Sequence, residues 1–138
     1  MSQTPMDRHP DIEIYVKQRS VEQITQWLES IFERLEATNT QGHTHRFTAT
    51  YHRVKIPVTV IDRAAKDFCS IWFDSAQTPW AQDLDCAQQA QQQLNTEIRC
   101  IVSGWKEGDE PDEWWSVTAQ GENKIQWLGY KDPSDTKQ

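Results

Sequence analysis

The stretch DIEIYVKQRSVEQITQWLESIFERLEA, residues 11–37, decides the fold class. Ile12, Ile14 and Val16 alternate with Glu13, Tyr15 and Lys17, the period of two that marks a half-buried strand. Ser20 then precedes Gln23 at capping-box spacing, which starts a helix. Val21, Ile24, Trp27, Leu28, Ile31, Phe32 and Leu35 follow at helical intervals. The helix is therefore expected from about Ser20 to Ala37, ending in the polar residues 38–42.

Outward from this unit the chain is rich in strand signals. Phe47, Ala49 and Tyr51 share one parity, and Val54, Ile56, Val58 and Val60 share the other, so a turn or bulge is expected near His52 and Arg53. Pro57 lacks an N–H and predicts an edge or bulged position. Residues 62–67 (DRAAKD) read as a connection into FCSIWFDS, residues 68–75, which is apolar on both faces and predicts an inner strand. Thr78 and Pro79 are expected to cap and open a second helix, with Asp83 and Asp85 in its early turns. Leu84, Ala87, Ala90, Gln91 and Leu94 would form its inner face, and Gln88–Gln93 a solvated one. Ile98–Val102 is a further strand. Trp115, Val117 and Ala119 alternate toward a turn at Gly121–Asn123, and Ile125 and Trp127 continue as the second arm of a hairpin.

The expected class is α+β, a mainly antiparallel sheet with two helices on one face, in the order β-α-β-β-β-α-β-β-β. Two β-α-β-β units in succession, or a ferredoxin-like arrangement with added strands, are versions of that layout. Residues 1–10 read as a flexible leader, 11–130 as a single domain and 131–138 as a flexible tail.

A chain of 138 residues can bury one core without disulfides or metal. Cys69, Cys86 and Cys100 are an odd set with no CxxC spacing, which predicts reduced thiols. With no signal peptide and no membrane-length apolar run, the location expected is cytoplasmic. Net charge is −7, and the excess acid falls after residue 66. Such a surface disfavours nucleic acid and membrane as partners and suits a basic protein surface. It leaves room for a homo-oligomer.

Motifs for chemistry are sparse. His43 and His45 form an HxH pair that could supply two zinc ligands, but the pair stands where polar loop residues are expected anyway, so no metal is assigned. There is no GxSxG elbow, no GxGxxG and no Walker pattern, so no cofactor or catalytic residue is assigned. The basic residues His43–Lys66 are expected to pair with the acidic half of the chain. The most unusual segment is GWKEGDEPDEWW, residues 104–115. Period-two geometry sends Trp114 and Trp115 to opposite faces, with Trp115 buried beside Val117 and Trp114 exposed. Trp105, Glu107, Asp109, Glu110, Asp112, Glu113 and Trp114 would then form a recognition surface for a basic partner. The leading expectation is thus a non-enzymatic, Trp-rich, acidic protein-interaction module. The alternative is a small-molecule-binding protein or minor enzyme with a site at His45, Asp74, Asp83 and Asp85, between sheet and helices. A convex face carrying Trp114 favours the first, and a concave site with a carboxylate and a histidine favours the second.

Overall fold

The computed structural model describes residues 8–102 and 113–127. These form an eight-stranded antiparallel sheet and two helices. In chain order they are β1 (Ile12–Lys17), α1 (Val21–Ile31), β2 (Arg34–Gln41), β3 (Thr44–Tyr51), β4 (Val54–Ala65), β5 (Phe68–Phe73), α2 (Asp83–Leu94), β6 (Ile98–Ile101), β7 (Glu113–Thr118) and β8 (Gly121–Gln126). The spatial order is β2-β3-β4-β5-β1-β6-β7-β8. The chain leaves the central β1 through α1, lands four strands away at β2, and meanders back to β5 beside β1. It then crosses through α2 to β6 on the other side of β1.

The helix start follows the sequence. Ser20 Oγ accepts from the Gln23 amide at 3.1 Å, and Gln23 Oε1 accepts from the Ser20 amide at 2.9 Å. The helix end does not. Phe32 is already extended, and residues 34–41, expected partly as helix and partly as loop, form β2. The sheet therefore has one strand more than expected. Leu35 fits a helical stripe as well as it fits a strand, and pairing with β3 along the hairpin through Gly42 and His43 decides the matter. Gly42 supplies the positive φ (61°) of that two-residue turn. The turn expected at His52 and Arg53 is present, with both residues at positive φ.

Two further expectations are corrected. Pro57 lies in β4, an interior strand. Its carbonyl accepts from Asp74, just past the end of β5, so the missing N–H faces a side where the neighbouring strand has run out. The second helix starts at Asp83, capped by Gln82, rather than at Pro79. Thr78 Oγ1 instead donates to the Trp80 carbonyl at 2.9 Å, because Trp80 leaves the chain to enter the core.

Ile12, Ile14 and Val16 of β1, Ile71 and Phe73 of β5, and Val58 and Val60 of β4 share the face that packs on Ile24 and Leu28 of α1 and on Ala87 and Ala90 of α2. The helices meet through Trp27, whose Nε1 donates to Gln93 Oε1 at 2.7 Å. All three cysteines are free and buried. No described helix is long and apolar enough to cross a membrane.

The opposite face carries its own small core. Tyr15, Trp114 and Trp127 meet edge-to-face with centroids 5.1–5.5 Å apart. The Arg99 guanidinium lies 4.7 Å from the Phe68 ring centroid and 4.6 Å from that of Trp127. Glu97 holds it there, accepting from Arg99 Nε at 2.8 Å and from the Ser116 hydroxyl. Burial works to raise the Glu97 carboxyl, but these bonds and the charges of Arg99 and Lys17 outweigh it and hold the carboxyl below its ordinary value. A lowered acid pKa contributes stability above the unfolded value and loses it as pH falls through the folded one. Glu97→Gln is accordingly expected to cost about 2 kcal/mol at pH 7. Urea melts of both proteins should converge as pH drops below about 4. A gap that persisted there would assign the effect to packing rather than charge.

Candidate functional site

An open groove of about 1170 Å³ lies at one end of the sheet, where β1 passes into α1 and β4 turns into β5. Three local features build it. First, β4 bulges. Ile61 pairs with Ser70 and Ala65 with Phe68, so Asp62, Arg63 and Ala64 stand opposite Cys69 alone. Second, the β2–β3 hairpin brings Thr40, His43 and His45 to the same end. Third, the first turn of α1 adds Ser20, Val21 and Glu22.

Asp62 continues the inward parity of Ile56, Val58 and Val60, so a carboxylate stands where the strand would otherwise place another core residue. It contacts both histidines. His43 Nδ1 lies 2.5 Å from Oδ1, and His45 Nε2 lies 2.9 Å from Oδ2. Hydrogen bonding from His45, opposed by burial and joined by His43, holds the Asp62 carboxyl below its usual range. Among the described residues, no group of three or more His, Cys, Asp or Glu is arranged to hold a metal ion.

The remaining lining groups divide into spent and unspent charges. Arg19 is spent, because its guanidinium donates to the carbonyls of Leu94 (2.9 Å), Asn95 (2.8 Å) and Gln18 (2.9 Å), closing the C-terminus of α2. Arg63 and Lys66 have no carboxylate partner among the described residues. Cys69 is a poor nucleophile. Burial pushes its thiol up, and Sγ donates to the Arg19 carbonyl at 3.4 Å. The Ser20 hydroxyl is committed to the cap. The groove thus offers imidazoles, free cations and an apolar floor that includes Val21 and Ala65, but no activated nucleophile.

Backbone strain gathers at the same place. Six described non-glycine residues have positive φ. His52 and Arg53 form a hairpin turn, and Asn95 ends α2. Asp67 (67°) belongs to the two-residue turn between β4 and β5, and the other two, Gln18 (50°) just after β1 and Arg63 (61°) in the β4 bulge, line the groove with it.

Of the residues expected to form a ligand site, the structure brings only His45 to this groove. Asp74 is exposed beyond β5, and Asp85 is spent on the Gln82 amide at 3.1 Å. Asp83 is buried elsewhere, 3.0 Å from His9 Nδ1. Burial raises its carboxyl, and His9 works against that rise. The four residues do not converge. Of the expected recognition surface, Trp105, Glu107, Asp109, Glu110 and Asp112 lie outside the described residues. Glu113 opens β7. Trp114 corrects the expectation directly, since it is 5% exposed. Its face was read correctly, but that face is roofed by Tyr15 and Trp127. Trp115 is half-buried against the main core, with Lys124 Nζ 5.4 Å from its ring centroid.

Asp62, Arg63, Lys66 and Gln18 were missed as site residues. The signal for Asp62 was its parity, a charge at the next inward position after Val58 and Val60. No family model matches this chain, and neither a curated protein nor a solved structure matches it.

Proposed function

We propose that this is a small-molecule-binding protein whose ligand occupies the groove between β4, β5 and the start of α1. One observation carries the reading. The 1170 Å³ groove coincides with two strained, non-glycine backbone positions outside any turn, Gln18 and Arg63, and with a carboxylate that contacts two imidazoles. Strain of this kind persists where a surrounding constraint repays it. The volume is somewhat above the roughly 300–1,000 Å³ of a pocket for a small organic ligand, enough to admit one. Arg63 and Lys66, with the first amides of α1, suit an anionic head group, and Val21 and Ala65 suit an apolar body. The absence of an activated nucleophile among the lining residues favours binding over catalysis. A cytoplasmic location and a ferredoxin-like arrangement with added strands belong to the same proposal. The protein-interaction reading drew its physical motive from an exposed Trp114. With that ring buried, it rests on Glu113 and on residues outside the described ones.

Titration of isotope-labelled protein with small aromatic carboxylates and phosphate esters should shift the amides of residues 18–22 and 62–69. Charge reversal at Lys66 should weaken that binding about tenfold, the value of one charge-assisted contact. Shifts confined to other surfaces would sink the proposal. Arg63→Gly gives an independent check. It should raise stability by about 1 kcal/mol in a urea melt, because an L-residue in the left-handed region costs roughly that much. It should also weaken the ligand. A loss of stability would show that the Arg63 side chain serves the fold instead.

A further inference from the structure

His43 sits in the β2–β3 turn, His45 in β3 and Asp62 at the β4 bulge. Their contacts tie the tip of the hairpin to β4, together with the Asp62 amide, which donates to the His43 carbonyl at 3.0 Å. We infer that this His43–Asp62–His45 clasp is a pH-sensitive latch on the wall of the groove, firm when the imidazoles are charged and loosened when they are neutral. The inference rests on the groove as the binding site.

An ionised carboxylate only accepts, so each imidazole must present an N–H to it. His43 presents Nδ1 and His45 presents Nε2. Neutral rings can do so as well, His43 as its Nδ1–H tautomer and His45 as its Nε2–H tautomer, so loss of the second proton removes the charge assistance and not the donors. Protonated rings carry N–H on both nitrogens and meet the need without restriction. Histidine is the side chain type whose charge changes within the ordinary range of pH. Asp62 stays ionised there, because its carboxyl is held below the usual carboxylate range. The clasp is open to solvent, with His43 61% exposed and Asp62 28% exposed, so protons can exchange freely.

The surrounding charges do not decide the outcome. Arg63 on β4, Lys66 and Asp67 in the following turn and Glu22 of α1 also line the groove, two charges of each sign. Arg19 is committed to carbonyls, and Cys69 is a buried neutral thiol. The groups in hydrogen-bond contact with Asp62 are the two histidines. In the latched state Thr40, His43 and His45 form a fixed wall. Once it loosens, the hairpin tip is free to move away from the groove.

Amide hydrogen exchange on the whole chain tests this without any ligand. Rates for residues 40–45, corrected for intrinsic chemistry and referred to Ile12–Lys17, should rise about tenfold between pH 5.5 and 8. That is the difference between a charge-assisted and a neutral hydrogen bond. Asp62→Asn should remove the pH dependence, and His43→Gln should reduce it. Unchanged β1 protection in each variant confirms that the fold persists. A wild-type hairpin whose protection does not change with pH overturns the latch, as does a pH dependence retained in both variants. Failure of every ligand to shift the groove amides would instead count against the binding site, while the exchange result would stand.

Discussion

Trp114→Ala should destabilise the protein by about 3–5 kcal/mol, the cost of emptying a large buried aromatic site. The ring is 5% exposed and meets Tyr15 and Trp127 edge-to-face. Its removal would open a void beside Trp127, whose ring, with that of Phe68, receives the Arg99 guanidinium. The loss should therefore exceed simple transfer of the indole, since the cation–π contacts would loosen with it. Trp114→Phe keeps part of the area and should cost less than half as much. Urea denaturation measures both. A change within about 1 kcal/mol for the alanine variant would mean that the ring is effectively at the surface, and the recognition reading of residues 105–114 would regain its motive.

Trp114 also shows where sequence reasoning reaches its limit. Parity along β7 correctly separates Trp114 from Trp115. It cannot say which face is covered, because cover comes from other strands. Trp114 pairs across the sheet with Ile101 on one side and Ile125 on the other, and Tyr15 reaches it from β1. The same limit explains Ile125, read as sharing a face with Trp115. The two-residue turn at Ala119 and Gln120 pairs Trp115 with Lys124, so Ile125 falls on the Trp114 face. Strand β2 was hidden for a different reason. Only Leu35 and Ala37 are apolar in RLEATNTQ, and an edge strand so polar has almost no period to detect.

The site was legible in fragments. His43 and His45 attracted notice as an HxH pair, and DRAAKD was read as a connection. What the sequence could not supply was the bulge that places Asp62 under both imidazoles. A bulge is a mismatch of length between two strands, so it becomes visible only when both are paired. Arg19 was invisible for a related reason. Its function is to close α2 across 75 residues of chain, through a contact with no local signature.

Trp80→Ala should also cost about 3–5 kcal/mol, and it tests why the second helix starts late. Trp80 is 5% exposed, lies 5.1 Å from Phe73 and 6.2 Å from Phe32, and stacks on Trp27 at 6.1 Å between ring centroids. Its Nε1 donates to Gln89 Oε1 at 2.8 Å. A helix beginning at Pro79 would carry this ring around the helix axis and away from that cluster. Burying an indole among three aromatic rings outweighs the few tenths to one or two kcal/mol that a better N-cap supplies. The sequence signal at Thr78 and Pro79 is thus real but weaker than the packing it opposes. In Trp80→Ala that opposition disappears, so the segment 79–82 should gain helical character even as the fold weakens. Trp80→Phe separates the two effects. It keeps most of the packing, loses the bond to Gln89, and should cost about 1 kcal/mol with the helix start unchanged. Denaturation gives the stabilities, and amide and α-carbon chemical shifts over residues 78–86 give the helix boundary. If Trp80→Ala kept full stability, or left that boundary where it is, core packing would not be what delays the helix.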